Sequence, residues 1–146
     1  MEFKTEEAKW AWLAALIDGE GCITWSHRIR HGVDEYSIKI IICSTTLELL
    51  EEIKKHFDCS NIRILRGKGH GRFGNKPQYV VCFEYKKARA ILPKIIPFLI
   101  VKRKRAEIAY EFLKLQENWK EFVRKYGLDK YREEKKRLIE LMKNTK

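Results

Sequence analysis

The chain is short of the residues that staple or punctuate a fold. Of 146 residues only 3 are proline and 8 glycine, and the 4 cysteines (Cys22, Cys43, Cys59 and Cys82) stand far apart with no C-x-x-C pair. They read as reduced thiols rather than as zinc ligands or a disulfide framework. Cys22, His27 and His31 can be written as C-x4-H-x3-H, but the second cysteine pair that would support zinc is missing. No apolar run approaches the roughly 18 residues of a membrane span; the longest is Trp10 to Ile17. The first residues, Met-Glu-Phe-Lys-Thr-Glu-Glu, lack the basic-then-apolar pattern of a secretion signal. The expectation is a protein inside a cell, in cytoplasm, nucleoid or an organelle, and not secreted. Apolar residues are not scarce. At 45%, with 12% aromatic, they exclude a disordered chain, and the length suits one domain or one domain with an appendage.

Acidic residues are also scarce relative to basic ones, 20 against 31, and the imbalance is localised. Residues 1–21 carry net −3, residues 22–105 net +11, residues 106–119 net −2 and residues 120–146 net +5. A basic central region is the electrostatic footprint of a polyanionic partner, most simply nucleic acid, although a basic surface can also be mere solvation.

Helix is expected from Thr5 to Asp18, with Thr5 as cap and Glu6 and Glu7 at the positive end of the dipole. Trp10, Leu13 and Ile17 form a bulky stripe suited to a sheet. Ala8, Ala11 and Ala15, with Ala14 beside them, form a small stripe suited to a closely approaching helix. No other helix has a matching small stripe, so the partner is either a second copy or the chain's own C-terminal helices. Gly19 and Gly21 end the helix. Strands follow at about 22–30 and Tyr36–Cys43 around a turn at His31–Glu35, then a helix from Leu47 to Phe57 capped by Ser44-Thr45-Thr46. Further strands are expected at Asn61–Arg66 and Pro77–Tyr85, flanking a glycine-rich loop at 67–74, and helices at Lys87–Ile96, Lys102–Trp119 and from an Asp129 cap to Met142. This order is α-β-β-α-β-β-α plus extra helices, an α+β fold with an antiparallel sheet. We divide it into a core at 1–119 and a basic helical extension at 120–146, the latter read as a solvated helix.

One segment breaks a local rule. In Leu13-Ala14-Ala15-Leu16-Ile17-Asp18-Gly19-Glu20-Gly21 two carboxylates close a helix whose last turn has no Lys or Arg. Acids at the negative pole of a helix cost up to about 1 kcal/mol. An uncompensated violation flags a functional site, and a bound Mg²⁺ on hard oxygen ligands is the natural compensation. The segment resembles the LAGLIDADG motif of homing endonucleases, with Ala15 in place of Gly and Glu20 where Asp is usual. The element order is that family's core, and Pro97-Phe98-Leu99-Ile100-Val101-Lys102 resembles a family feature at the start of its last core helix. The likeness spans about residues 5–119.

The resemblance implies a homodimer, since only one motif occurs, with Ala11, Ala14, Ala15 and Asp18 at the interface of paired motif helices. It implies that Glu20 of each copy binds divalent metal beside the Gly19 carbonyl. Mg²⁺ is the expected ion, with Mn²⁺ or Ca²⁺ able to take the same oxygens. The reaction would be metal-dependent hydrolysis of one phosphodiester on each strand of a long, near-palindromic duplex DNA target, as in intron homing. Lys102 would either line the catalytic centre or serve as an ordinary cation of the run 102–105, and Ser44 or Thr45 would either line it too or cap a helix. A non-cleaving DNA-binding regulator, or an RNA-binding intron maturase on the same fold, is the alternative reading.

Strand alternation then nominates the DNA face. If Ile23, Trp25 and Ile29 face the core, then Thr24, Ser26, Arg28 and Arg30 face DNA, with Ser37 and Lys39 on strand two, Arg63 on strand three, and Gln78 and Val80 on strand four. Lys68, His70 and Arg72 of the glycine-rich loop would track the backbone. That loop lacks a G-K-[ST] ending, so no nucleotide cofactor is expected.

Overall fold

The computed structural model describes residues 1–65 and 76–145. Helix α1 (Glu6–Glu20) starts where Thr5 accepts a hydrogen bond from the Ala8 N–H, at 2.9 Å. It runs on through Gly19, two residues further than expected, and stops at Gly21, whose N–H donates to the Ile17 carbonyl. Gly21 is sterically required: a Cβ there would lie 2.8 Å from the Cα of Ile17. Strands β1 (Gly21–Arg30) and β2 (Val33–Ser44) form a long hairpin. His31 and Gly32 turn it with φ of 51° and 76°, the pair of positive values that a two-residue turn needs to match strand twist. β2 therefore begins three residues earlier than the sequence suggested.

Helix α2 (Leu47–His56), strands β3 (Arg63–Leu65) and β4 (Gln78–Glu84), helix α3 (Lys86–Ile95) and a 3-10 turn (Ile96–Phe98) lead to α4 (Arg103–Glu117), α5 (Trp119–Tyr126) and α6 (Leu128–Lys143). The sheet is antiparallel with order β1-β2-β4-β3. The expected α+β architecture is present. Asp129 lies inside the first turn of α6 rather than capping it; Gly127, at φ 90°, holds the cap position.

Register explains the layering. Ile23 pairs with Ile40 and Trp25 with Ile38, while Ile40 pairs with Phe83 and Ile42 with Val81. These residues share one face and meet Leu13 and Ile17 of α1, Leu50 and Ile53 of α2, Leu92 and Ile95 of α3, and Phe112 of α4 in a single core. Each such side chain contributes roughly 1.5–3 kcal/mol when fully buried. Two expectations fail here. Ile29 is on the core side but 71% exposed, because β4 pairs with β2 only over Lys39–Ser44 and the hairpin tip overhangs. The C-terminal segment is not merely a solvated basic helix: Leu138, Ile139 and Met142 join the core.

Gly21→Ala forces its Cβ against backbone and should cost about 1–3 kcal/mol, as overpacking does. Thermal unfolding followed by circular dichroism should show the midpoint falling by several degrees.

Candidate active site and nucleic-acid interface

The C-terminus of α1 is joined to the start of α4. The Asp18 carboxylate accepts from the Ile100 N–H at 2.7 Å and from the Lys102 N–H at 3.0 Å, and Lys102 Nζ donates to the Asp18 carbonyl at 2.7 Å. The missing cation of the α1 terminus is thus supplied from 84 residues away in sequence. The acidic terminus is therefore partly compensated within the chain, and the Asp18 carboxylate is engaged by intrachain bonds. Glu20 is different. It is exposed, and among the described residues its carboxylate makes no hydrogen bond or ion pair.

The small stripe of α1 divides. Ala14 is fully buried in the chain's own core, which removes it from any interface. Ala8 and Ala15 are exposed and Ala11 is half-buried. Gly19 continues this open side, and a Cβ added there would meet nothing within 4 Å. Ser44 lies beyond Ile42, the residue paired with Gly21, so β2 ends near Glu20. The Ser44 hydroxyl accepts from the Thr46 N–H at 3.0 Å, the capping-type role.

The second face of the sheet carries Thr24, Ser26, Arg28 and Arg30 opposite Lys39, Ser37, Glu35 and Val33. Lys39 continues to Glu84, and Arg63 and Gln78 lie across β3 and β4. Val80 is on this face but only 3% exposed, flanked by Cys43 and Arg63; it is withdrawn as a contact residue. Lys68, His70 and Arg72 lie outside the described residues. Sequence reasoning missed the acids of this face. Glu35 pairs with Arg28 at 2.8 Å and Glu84 with Lys39 at 3.4 Å. The two-residue turn at His31-Gly32 would have revealed the first pair, because it sets 28 opposite 35. Cys22, read as a reduced thiol, is free and exposed two residues after Glu20. Among the described residues no three His, Cys, Asp or Glu side chains gather as a metal site, and no helix is long and apolar enough to cross a membrane.

No family model matches the chain. Among curated proteins it is 26% identical over 117 residues to DNA endonuclease I-CvuI of Chlorella vulgaris, covering 80% of this chain and 70% of that protein. Among solved structures it is similar to the archaeal intron-encoded homing endonuclease I-Vdi141I complexed with DNA, with a TM-score of 0.73, 19% identity, and 96% and 85% of the two chains covered. It is also similar to the LAGLIDADG homing endonuclease I-GzeII in complex with its DNA target, with a TM-score of 0.66, 12% identity, and 89% of this chain against 43% of that one. The fold is that of a homing endonuclease. The segment at residues 13–21, which ends on an open carboxylate, is similar to the LAGLIDADG motif for which I-GzeII is named.

Burial separates the thiols. Cys82 is buried and its pKa is pushed up to about 11 by desolvation, with Glu84 adding to the rise; Cys22 is exposed. A thiol reagent reacts with the thiolate, so at pH 8 Cys22 should be modified first and Cys82 should stay protected until pH approaches 11. Mass spectrometry of the labelled peptides checks the order.

Proposed function

We propose that this chain is a site-specific endonuclease of duplex DNA, acting as a homodimer through two copies of Glu20. The observation that carries the reading is that the one-sided sheet ends at Glu20, an exposed and unpartnered acid beside the open face formed by Ala8, Ala11, Ala15 and Gly19. A second copy set against that face would bring two carboxylates together, which one chain cannot do. I-GzeII, of which this chain covers 43%, accords with a unit that works in pairs.

The donor set fits a divalent cation. Carboxylate and carbonyl oxygens are hard ligands, and Glu20 with the Gly19 carbonyl would hold Mg²⁺; I-CvuI has been crystallised with Ca and with Mg. When bound, such an ion neutralises charge on the attacked phosphate and lowers the pKa of water. The chain's own residues do the rest. Lys102 Nζ, held at the end of α1, sets a positive charge beside the scissile phosphate. Asp18 is a positioning residue, because its two hydrogen bonds fix the segment from which Lys102 springs. Thr24, Ser26, Arg28, Arg30, Ser37, Lys39, Arg63 and Gln78 line the groove-reading face, where arginine can recognise guanine and glutamine adenine. Two copies imply a near-palindromic target.

The target can be found by selecting cleaved duplexes from a randomised library with Mg²⁺. Glu20→Gln should then lower cleavage at least a hundredfold, since metal assistance is worth several kcal/mol, while binding of that duplex persists at matched salt. Cleavage at the wild-type rate would remove Glu20 from the centre. Sedimentation should give about twice the 17.5 kDa chain mass. Ala15→Glu should give a folded single-chain species that no longer cuts; an unchanged dimer would remove α1 from the interface.

A further inference from the structure

Tyr85 joins β4 to α3 with φ 51° and ψ −120°, a region suited to glycine and strained for a side chain with a Cβ. Core packing does not compensate that strain. The ring is 56% exposed, and the hydroxyl makes no hydrogen bond among the described residues. Glycine or asparagine would sit there more easily, so the ring has to be explained by what lies around it.

Tyr85 forms one wall of a cleft of about 520 Å³ together with Ser26, Arg28, Arg30, Ser37 and Lys39. The cleft opens where β2 runs on without β4, beyond the Lys39–Glu84 pair, on the hairpin side of the sheet and away from Glu20. Its unspent groups include two on the hairpin strands. The Ser37 hydroxyl oxygen is sealed from solvent and has no hydrogen-bond partner among the described residues, and the residue lines the cleft. Arg30, unlike Arg28 and Lys39, forms no ion pair among the described residues. A strained aromatic wall, a free guanidinium and an unused hydroxyl converge on one opening of the face assigned above to DNA.

We infer that Tyr85 is a specificity-determining residue for the outer part of each half-target. Its ring takes the apolar edge of a base, such as a thymine methyl, while Arg30 and Ser37 take polar atoms of the same step. This rests on the preceding assignment of the sheet face to duplex DNA, and it goes further by naming a residue beyond the strands.

The test uses the full chain and the duplex selected by the wild type. Tyr85→Gly should leave the thermal midpoint unchanged or raise it, because strain is relieved. It should also weaken binding at matched salt about tenfold, the effect of one lost base contact. A repeated selection should show base preference relaxed at one outer position in each half. Tyr85→Asn, which tolerates positive φ, should give the same loss, and Tyr85→Phe should behave as wild type. An unchanged affinity and selection profile for both Tyr85→Gly and Tyr85→Asn overturns the assignment. So does a loss spread evenly over all positions, which would mark a packing or general backbone contact. A wild-type chain that selects no duplex overturns the DNA reading itself, whereas failure of the Tyr85 assignment alone requires that the wild type select one.

Discussion

The end of α1 meets the start of α4, and the rest of the active centre depends on that junction. A helix ends on unsatisfied carbonyls at a negative pole and begins on unsatisfied N–H groups at a positive one. Here the two poles are joined. The Asp18 carboxylate takes N–H groups of Ile100 and Lys102, and Lys102 Nζ takes the Asp18 carbonyl. Hydrogen bonds to charged groups are worth roughly 1.5–3 kcal/mol each when shielded, and less in this half-exposed setting. Their larger effect is on geometry. One acid is spent on the fold, which leaves Glu20 without a partner at the terminus among the described residues, and one lysine is held on the carbonyl of Asp18. Two free acids at one helix end would repel each other; with one engaged in hydrogen bonds, a single open carboxylate is left.

The sheet shows a related economy. Helices cover one face, and on the other Arg28 and Lys39 are each countered by a cross-strand acid. Exposed pairs of this kind stabilise a fold by about 0–1 kcal/mol. An incoming phosphate or base edge can therefore displace Glu35 or Glu84 at small cost. Until then the pairs keep long side chains extended across the face instead of free to rotate, which lowers the entropy lost on binding. Arg30 at the hairpin end has no such counter-ion among the described residues, and the cleft beside it is where the strained Tyr85 stands.

Much of this was legible because it depends on local periodicity. A period of two assigned both faces of the hairpin correctly, since one core face fixes every residue of a strand. The same rule misled at Val80 and Ile29. Side-chain direction was right in both cases, but burial depends on how far neighbouring strands extend, and β4 stops short of the tip while Cys43 and Arg63 flank Val80. Ala14 was grouped with the other alanines by size; its position on the helix points it inward instead. The bond between Asp18 and Lys102 spans 84 residues, and no periodicity carries that information. The resemblance marked Lys102 as important without saying what it touches.

Net charge has to be separated into the part that is paired within the fold and the part that is not. The segment 120–146 carries net +5, and four of its acids are held along its own helices: Arg124 and Lys125 reach Glu121, Lys130 reaches Glu133, Arg137 reaches Glu134, and Lys143 reaches Glu140. Its apolar stripe goes into the core, and its far end is tied by Arg105, which donates to the Thr145 carbonyl and lies 5.3 Å from the centre of the Trp25 ring. Trp25 is a β1 residue paired with Ile38, so α6 supports the hairpin from behind through this arginine. A basic count thus has two components, charge already partnered within the fold and charge left facing outward. Only the second is open to a polyanion, and among the described residues it includes Arg30 on the sheet as well as Lys120, Arg132 and Lys136, which are exposed on the C-terminal helices and form no ion pair.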